Sequence, residues 1–218
     1  MEKNLATLKV WAESHIAGFG QSAFRIRADS GTTVFIDPFR VPAVAGPADL
    51  ILVTHPHRDH LDRRAISGLG SAATKLVLPR SCAESGQVGL SPGESFSLGD
   101  IEVTGLPAYN LRKRFHPRSK GWLGYLIEID GLRIYHAGDT DLIPEMRGLA
   151  PDIALLPIGG SFAMGADEAL EAFALLGATL AIPMHYGMLG FLLGGRGAGR
   201  RFAERLGPAG LVLPKVRE

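Results

Sequence analysis

Three histidines and an aspartate crowd into six positions directly after an apolar run. The run Asp49–Thr54 is rich in Ile, Leu and Val and reads as a strand. It is followed at once by His55-Pro56-His57-Arg58-Asp59-His60. The chain has only seven histidines in 218 residues. Such density requires a fold that delivers side chains from a strand end and the sharp loop after it into one place. His55 and His57, two apart, can point to the same side of an extended segment, and Asp59 and His60 then turn towards a second point. Four donors are more than one tetrahedral zinc conveniently takes from one loop. The pattern therefore predicts a two-metal site, against the blander reading of a polar surface loop with incidental histidines.

Two later strand ends repeat the arrangement. His136-Ala137-Gly138-Asp139-Thr140 follows the apolar run Arg133–His136, and Gly138 permits a tight turn that aims Asp139. Asp139 can supply a carboxylate between two cations, whereas His136, before the turn, reads as structural. Ile182-Pro183-Met184-His185-Tyr186-Gly187 ends a third strand with a histidine. Upstream, Asp37 closes the run Thr32–Ile36. It is read either as a turn residue or as a carboxylate that orients a ligand imidazole through its second nitrogen. In layered α/β folds ligands gather at strand ends.

The rest of the chain reads as a strand-rich first part followed by alternating strands and helices. Strands are expected at Leu5–Trp11, Ala23–Ile26, Lys75–Leu78, Ile101–Leu106, Gly124–Ile129, Ile153–Pro157, Thr179–Met184 and Leu211–Pro214. Helices are expected at Leu61–Leu69, Ala166–Leu176 and Arg196–Leu206. Asp130-Gly131 is a hairpin turn signal. Sheets covered by helices on their outer faces, an α/β layered fold, follow from this order. No linker or repeat divides residues 1–218, so a single domain is expected. Gly 28 and Pro 14 make about 19% of the chain against a typical roughly 12%, which fits many turns.

Composition removes several classes. One cysteine, Cys82, rules out an internal disulfide framework. Lys+Arg 23 against Asp+Glu 22 gives a net charge of +1, too little to draw nucleic acid or membrane by global field. No run reaches the roughly 18 apolar residues of a membrane span, and MEKNLATLKVW lacks the pattern of a signal peptide. A cytoplasmic protein is the expectation. The most biased stretch, Leu111–Lys120, carries Arg112, Lys113, Arg114, Arg118 and Lys120 around His116.

These motifs resemble the metallo-β-lactamase superfamily. HPHRDH matches its HxHxDH signature position by position, and Gly138-Asp139-Thr140 and His185 match its bridging aspartate and its last second-metal histidine. Residues 157–165 (PIGGSFAMG) and 183–187 (PMHYG) are similar to the small UPF0173 and ascorbate-6-phosphate-lactonase-like hydrolases. The resemblance implies a four-layer αββα sandwich of two mixed sheets with outer helices. It implies His55, His57 and one later histidine on the first metal, and Asp59, His60 and His185 on the second, with Asp139 bridging. The family's usual place for that later histidine reads Pro107-Ala108-Tyr109-Asn110 here. Either His116, six residues beyond Asn110, folds back, which is the favoured reading, or Asn110 or water fills the position.

The implied activity is hydrolysis of an ester, lactone or phosphodiester bond by an activated water, with Asp59 and Asp139 as catalytic residues and two divalent ions as cofactors. Zinc is expected first, with manganese, iron, nickel or cobalt as alternatives. The basic segment suggests a small anionic substrate met by Arg112, Arg114 and Arg118. Gly160 and Ser161 are candidates to offer backbone N–H groups to an anion. A nuclease acting on RNA or DNA is the second reading, disfavoured by the net charge, and a non-catalytic metal-binding scaffold the third. The apolar run Met188–Leu193 is the expected lid or homo-oligomer contact.

Overall fold

The computed structural model describes residues 3–187, 195 and 197–216. Two six-stranded mixed sheets lie face to face. The first contains β1 (Ile16–Gly20), β2 (Ala23–Arg27), β3 (Thr33–Ile36), β4 (Leu50–Leu52), β5 (Lys75–Pro79) and β6 (Val88–Leu90) in chain order. The second contains β7 (Ser95–Leu98), β8 (Ile101–Pro107), β9 (Leu123–Ile129), β10 (Leu132–His136), β11 (Ile153–Pro157) and β12 (Leu180–Met184), also in chain order. Each sheet begins antiparallel and turns parallel partway. The change falls at β3, between antiparallel β2 and parallel β4, and at β10, between antiparallel β9 and parallel β11.

Alternation along the strands builds two layers of core. Val34, Ile36, Leu50 and Leu52 face inward and pack with the second sheet, while Phe35, Ile51 and Val53 point outward to a separate cluster with Leu69 of α2 (Arg63–Leu69). The other helices are α1 (Leu5–His15), α3 (Ala166–Leu176) and α4 (Ala198–Leu206), and α3 and α4 pack on the second sheet. The architecture is the αββα sandwich with two mixed sheets. The hairpin joining β9 and β10 turns at Asp130 and Gly131, both with positive φ (52° and 73°), the backbone a two-residue hairpin favours.

Two strand expectations are corrected. Residues 5–11 lie in α1, not in a strand. Asn4 caps this helix by accepting the Thr7 N–H at 3.0 Å, and Leu8, Trp11 and Ala12, at helical spacing, are its buried residues. Residues 211–214 form no strand. They run from one sheet to the other, with Gly210 bridged to Ala181 of β12 and Lys215 to Gly18 of β1. The short strands β1, β6 and β7 add to the expected set. The Met188–Leu193 run lies outside the described residues.

Candidate metal centre

Four loops deliver the polar residues, each from the end of a strand. Asp37 follows β3, the HPHRDH loop follows β4, Asp139 follows β10 and His185 follows β12. The fifth contribution, His116, comes from the long loop after β8. Several of these positions need unusual backbone. Asp37, His116 and His185 have φ of 44°, 57° and 55°, a region that costs a non-glycine residue energy and that clusters at functional sites. Gly138 turns at φ 65°, and a Cβ there would lie 2.8 Å from the Leu123 carbonyl oxygen. Only glycine lets the chain pass so close while aiming Asp139.

Two donor groups result. His55 Nε2 and His57 Nδ1 are 3.0 Å apart, and His116 Nε2 lies 3.3 and 3.2 Å from them. Asp59, His60 and His185 form the second group, with Asp59 Oδ2 3.8 Å from His60 Nε2 and 3.9 Å from His185 Nε2. Asp139 Oδ2 stands between the two. It is 3.5 Å from His116 Nε2, 4.0 Å from His55 Nε2, 3.5 Å from His60 Nε2 and 3.0 Å from His185 Nε2. His116 thus folds back to join His55 and His57, and Asn110 stands behind it. The Asn110 N–H donates to the His116 carbonyl at 2.8 Å. Its amide donates to the Phe115 and Phe162 carbonyls at 2.9 and 2.7 Å.

The surrounding hydrogen bonds fix which nitrogen of each ring faces inward. Asp37 is fully buried and accepts from the Thr54 N–H (2.8 Å), the Thr54 hydroxyl (2.7 Å) and His60 Nδ1 (2.7 Å). The Thr54 hydroxyl has given its proton to Asp37, so it accepts from His55 Nδ1 at 3.0 Å. His55 therefore presents an unprotonated Nε2 to the centre, and the bond from His60 Nδ1 to Asp37 turns the His60 Nε2 inward. Asp37 is the orienting carboxylate that its place at the end of a strand suggested. His136 is not among the donors: its Nε2 contacts the Ser22 carbonyl at 3.1 Å and its Nδ1 accepts from the Gly138 N–H.

A metal fits this donor set on three observations. Ligands around a tetrahedral ion at bond lengths of about 2.0–2.1 Å lie about 3.3 Å apart, close to the spacing of the three imidazole nitrogens. His60 Nε2, His185 Nδ1 and Nε2, and Asp139 Oδ1 are buried without a hydrogen-bond partner, which is costly unless something else meets them. Burial also lowers the pKa of His55, His57 and His116, the last to about 4, so their rings stay neutral, as metal ligands must be. Burial would raise Asp139, but His185 and His60 outweigh it and hold its carboxyl well below the usual range. For His60 burial acts downwards, and Asp139 and Asp37 overcome it and raise the pKa.

Gln21, which no motif singled out, holds two members of the second group at once. At the β1–β2 turn, with φ 54°, its Nε2 donates to Asp59 Oδ2 at 2.8 Å and its carbonyl accepts from the His185 N–H at 2.8 Å. Trp122 covers the first group, its ring 5.1, 5.0 and 5.4 Å from those of His55, His57 and His116. Trp11 lies elsewhere, stacked on His15.

The proposed substrate residues divide. Lys113 pairs with the buried Asp141, and Arg118 bonds Glu145 at 2.9 Å with its guanidinium over the Tyr109 ring. Both thus brace the loop that carries His116. Arg112 and Arg114 are exposed, and among the described residues neither has an ion pair. The Gly160 N–H, at φ 86°, is taken up by the Met164 carbonyl at 3.0 Å, and Ser161 is exposed.

Known proteins place this arrangement. Residues 15–185 match the Beta-lactamase superfamily domain. A UPF0173 metal-dependent hydrolase of Methanoregula boonei is 38% identical over 169 residues, covering 70% of this chain and 74% of that protein. One from Nitratidesulfovibrio vulgaris is 34% identical over 201 residues, covering 80% and 81%. Among solved structures, Igni18, a metallo hydrolase from Ignicoccus hospitalis, superposes with a TM-score of 0.71 at 27% identity, covering 93% of this chain and 94% of its own. The chain belongs to the UPF0173 metal-dependent hydrolases of the β-lactamase superfamily.

Proposed function

We propose that this chain hydrolyses an ester, lactone or phosphodiester bond of a small anionic molecule at a dinuclear centre. The observation that carries this reading is the convergence of seven donors on one buried point, four of whose polar atoms have no hydrogen-bond partner. His55, His57 and His116 would hold one ion, and Asp59, His60 and His185 the other, with Asp139 between them. Two divalent ions, zinc foremost, would supply an acidified water and a Lewis acid for the oxygen on which charge develops.

The chain's own residues do the rest. Asp37 and Thr54 lock the rings of His60 and His55 with Nε2 inward. Trp122 shields the first group from solvent. Asp59 is the most open carboxylate, its side chain 31% exposed against 3% for Asp139. It therefore faces incoming substrate and takes a proton on the oxygen that Gln21 does not hold. Arg112 and Arg114, exposed on the loop that carries His116, add positive charge on the approach to the centre without fixing where the anion sits.

The test is metal analysis together with turnover of a panel of lactones, aryl esters and bis(4-nitrophenyl) phosphate. Metal-replete protein should turn over at least one class, chelation should abolish that activity, and Asp139→Ala should not recover it on reloading. Full turnover by a metal-free Asp139→Ala protein would refute the reading.

A further inference from the structure

A cleft of about 340 Å³ opens beside the second donor group, between the β1–β2 turn, residues 39–40 after β3, residues 182–187 and the chain's last described residues. Its walls are mixed: Phe39, Pro183 and Leu213 with the mostly buried Phe19 and Phe24 supply apolar surface, and Gln21, Arg40, Tyr186 and Lys215 the polar part. Gln21 forms the wall it shares with the metal centre. Only 8% of Gln21 is exposed, and its Oε1 is buried with no partner while its Nε2 holds Asp59. A ligand in the cleft therefore lies one residue, Gln21, away from the second donor group.

Two cations flank the apolar walls, and no carboxylate lines them among the described residues. Arg40 extends over the Phe39 ring at 5.0 Å, its backbone at φ 52° and its N–H bound to Asp62 at 3.1 Å. Lys215 lies across Gly20, where a Cβ would come within 2.9 Å of its Nζ. The next residue fastens the tail to β1 through the Val216 N–H and the Gly18 carbonyl at 2.8 Å. Neither cation has an ion pair among the described residues. Two positive groups without an ion pair beside the Phe39, Pro183 and Leu213 surface favour a ligand with an apolar body and a negative end.

We infer that this cleft is the substrate subsite, and that its ligand is an amphipathic anion: an aliphatic or aromatic body ending in carboxylate or phosphate. Arg40 and Lys215 set specificity by meeting the anion. The inference rests on the hydrolase reading for the word substrate, but the binding stands apart from turnover.

Calorimetric titration of the metal-loaded chain with octanoate, octyl phosphate and octan-1-ol tests it. The two anions should bind at least tenfold more tightly than the alcohol, and their ratio tells carboxylate from phosphate recognition. Arg40→Glu/Lys215→Glu should weaken both anions by about tenfold or more, the loss typical of a charged hydrogen bond, and leave octan-1-ol unchanged. Phe39→Ala should weaken all three. An unchanged melting temperature excludes misfolding of the variants. Failure of the wild type to bind either anion, or anion binding indifferent to the double reversal, overturns the inference. Charge-dependent binding without turnover of any ester would instead overturn the hydrolase reading alone. Turnover with KM for anionic esters unchanged in the double variant would overturn the subsite alone.

Discussion

Replacing Asp37 by asparagine separates orientation of a ligand from ligation itself. Asp37 offers no atom to either donor group's centre, yet its two oxygens accept three hydrogen bonds in a fully buried setting, one of them from the outer nitrogen of His60. Asparagine keeps the shape and tolerates the residue's φ of 44°. It can still accept the Thr54 N–H, but an NH2 now faces Thr54 Oγ1 and His60 Nδ1. The hydroxyl adapts by turning. His60 has only one remedy, which is to carry its proton on Nε2 and accept on Nδ1. That places a hydrogen where a lone pair is needed. Losing one charge-assisted hydrogen bond costs about 1.5–3 kcal/mol, or about 3–12 °C in Tm for a chain of this size. Loss of such an orienting partner costs roughly 10–100-fold in metal affinity, and it falls first on the group containing His60, since His55 is reached only through the Thr54 hydroxyl. Competition against a chelating dye should show one tight ion retained and one weakened, and imidazole nitrogen NMR should show the exchanged His60 tautomer. Wild-type affinity for both ions in Asp37→Asn would refute the orienting role.

Two other perturbations follow from the geometry. Burial lowers the His116 pKa to about 4, so the folded metal-free chain binds fewer protons than the unfolded one between that value and about 6.5. The ring's contribution to stability is therefore whole above about pH 6.5 and is lost as pH falls towards 4, by up to about 2 kcal/mol at pH 5. Urea titrations at pH 7 and 5 should show a smaller acid loss in His116→Gln than in the wild type, and equal losses would contradict the assignment. Gly124→Ala places a Cβ 2.8 Å from the His136 and Ala137 carbonyl oxygens. Overpacking of this kind costs about 1–3 kcal/mol. It should lower Tm and, by pushing the Asp139 turn outward, reduce bound metal; an unchanged metal content at wild-type Tm would count against it.

Most of the donor set was legible because its spacing is local. His55, His57, Asp59 and His60 share one loop, and Asp139 and His185 end apolar strands. His116 was harder, since its approach depends on Asn110 pulling the loop back through the His116 carbonyl. Gln21 carried no signal at all: its role comes from a left-handed turn that aims its side chain at Asp59 and its carbonyl at His185. Helix α1 was misread because Val10 and Trp11 suggest a strand, yet Asn4 and the i, i+3 spacing of Leu5, Leu8 and Trp11 were already helical signals. Strands β6 and β7 are short and partly exposed, so they lack the apolar run that marks a buried strand. Lys113 reads only as one cation of a basic segment, because the buried Asp141 that holds it lies in a loop 28 residues away in the chain.

The donors are divided between the two sheets. His55, His57, Asp59 and His60 hang from the first sheet, and His116, Asp139 and His185 from the second. An ion held by such a set adds a cross-link between halves of the molecule that packing and a few hydrogen bonds already join. It acts as a clasp between segments distant in the chain, in a protein whose single cysteine can form no internal disulfide. Whatever binds the folded but not the unfolded chain adds to its stability by mass action. The cell's supply of metal would then govern how long the sandwich stays closed as well as how fast it works.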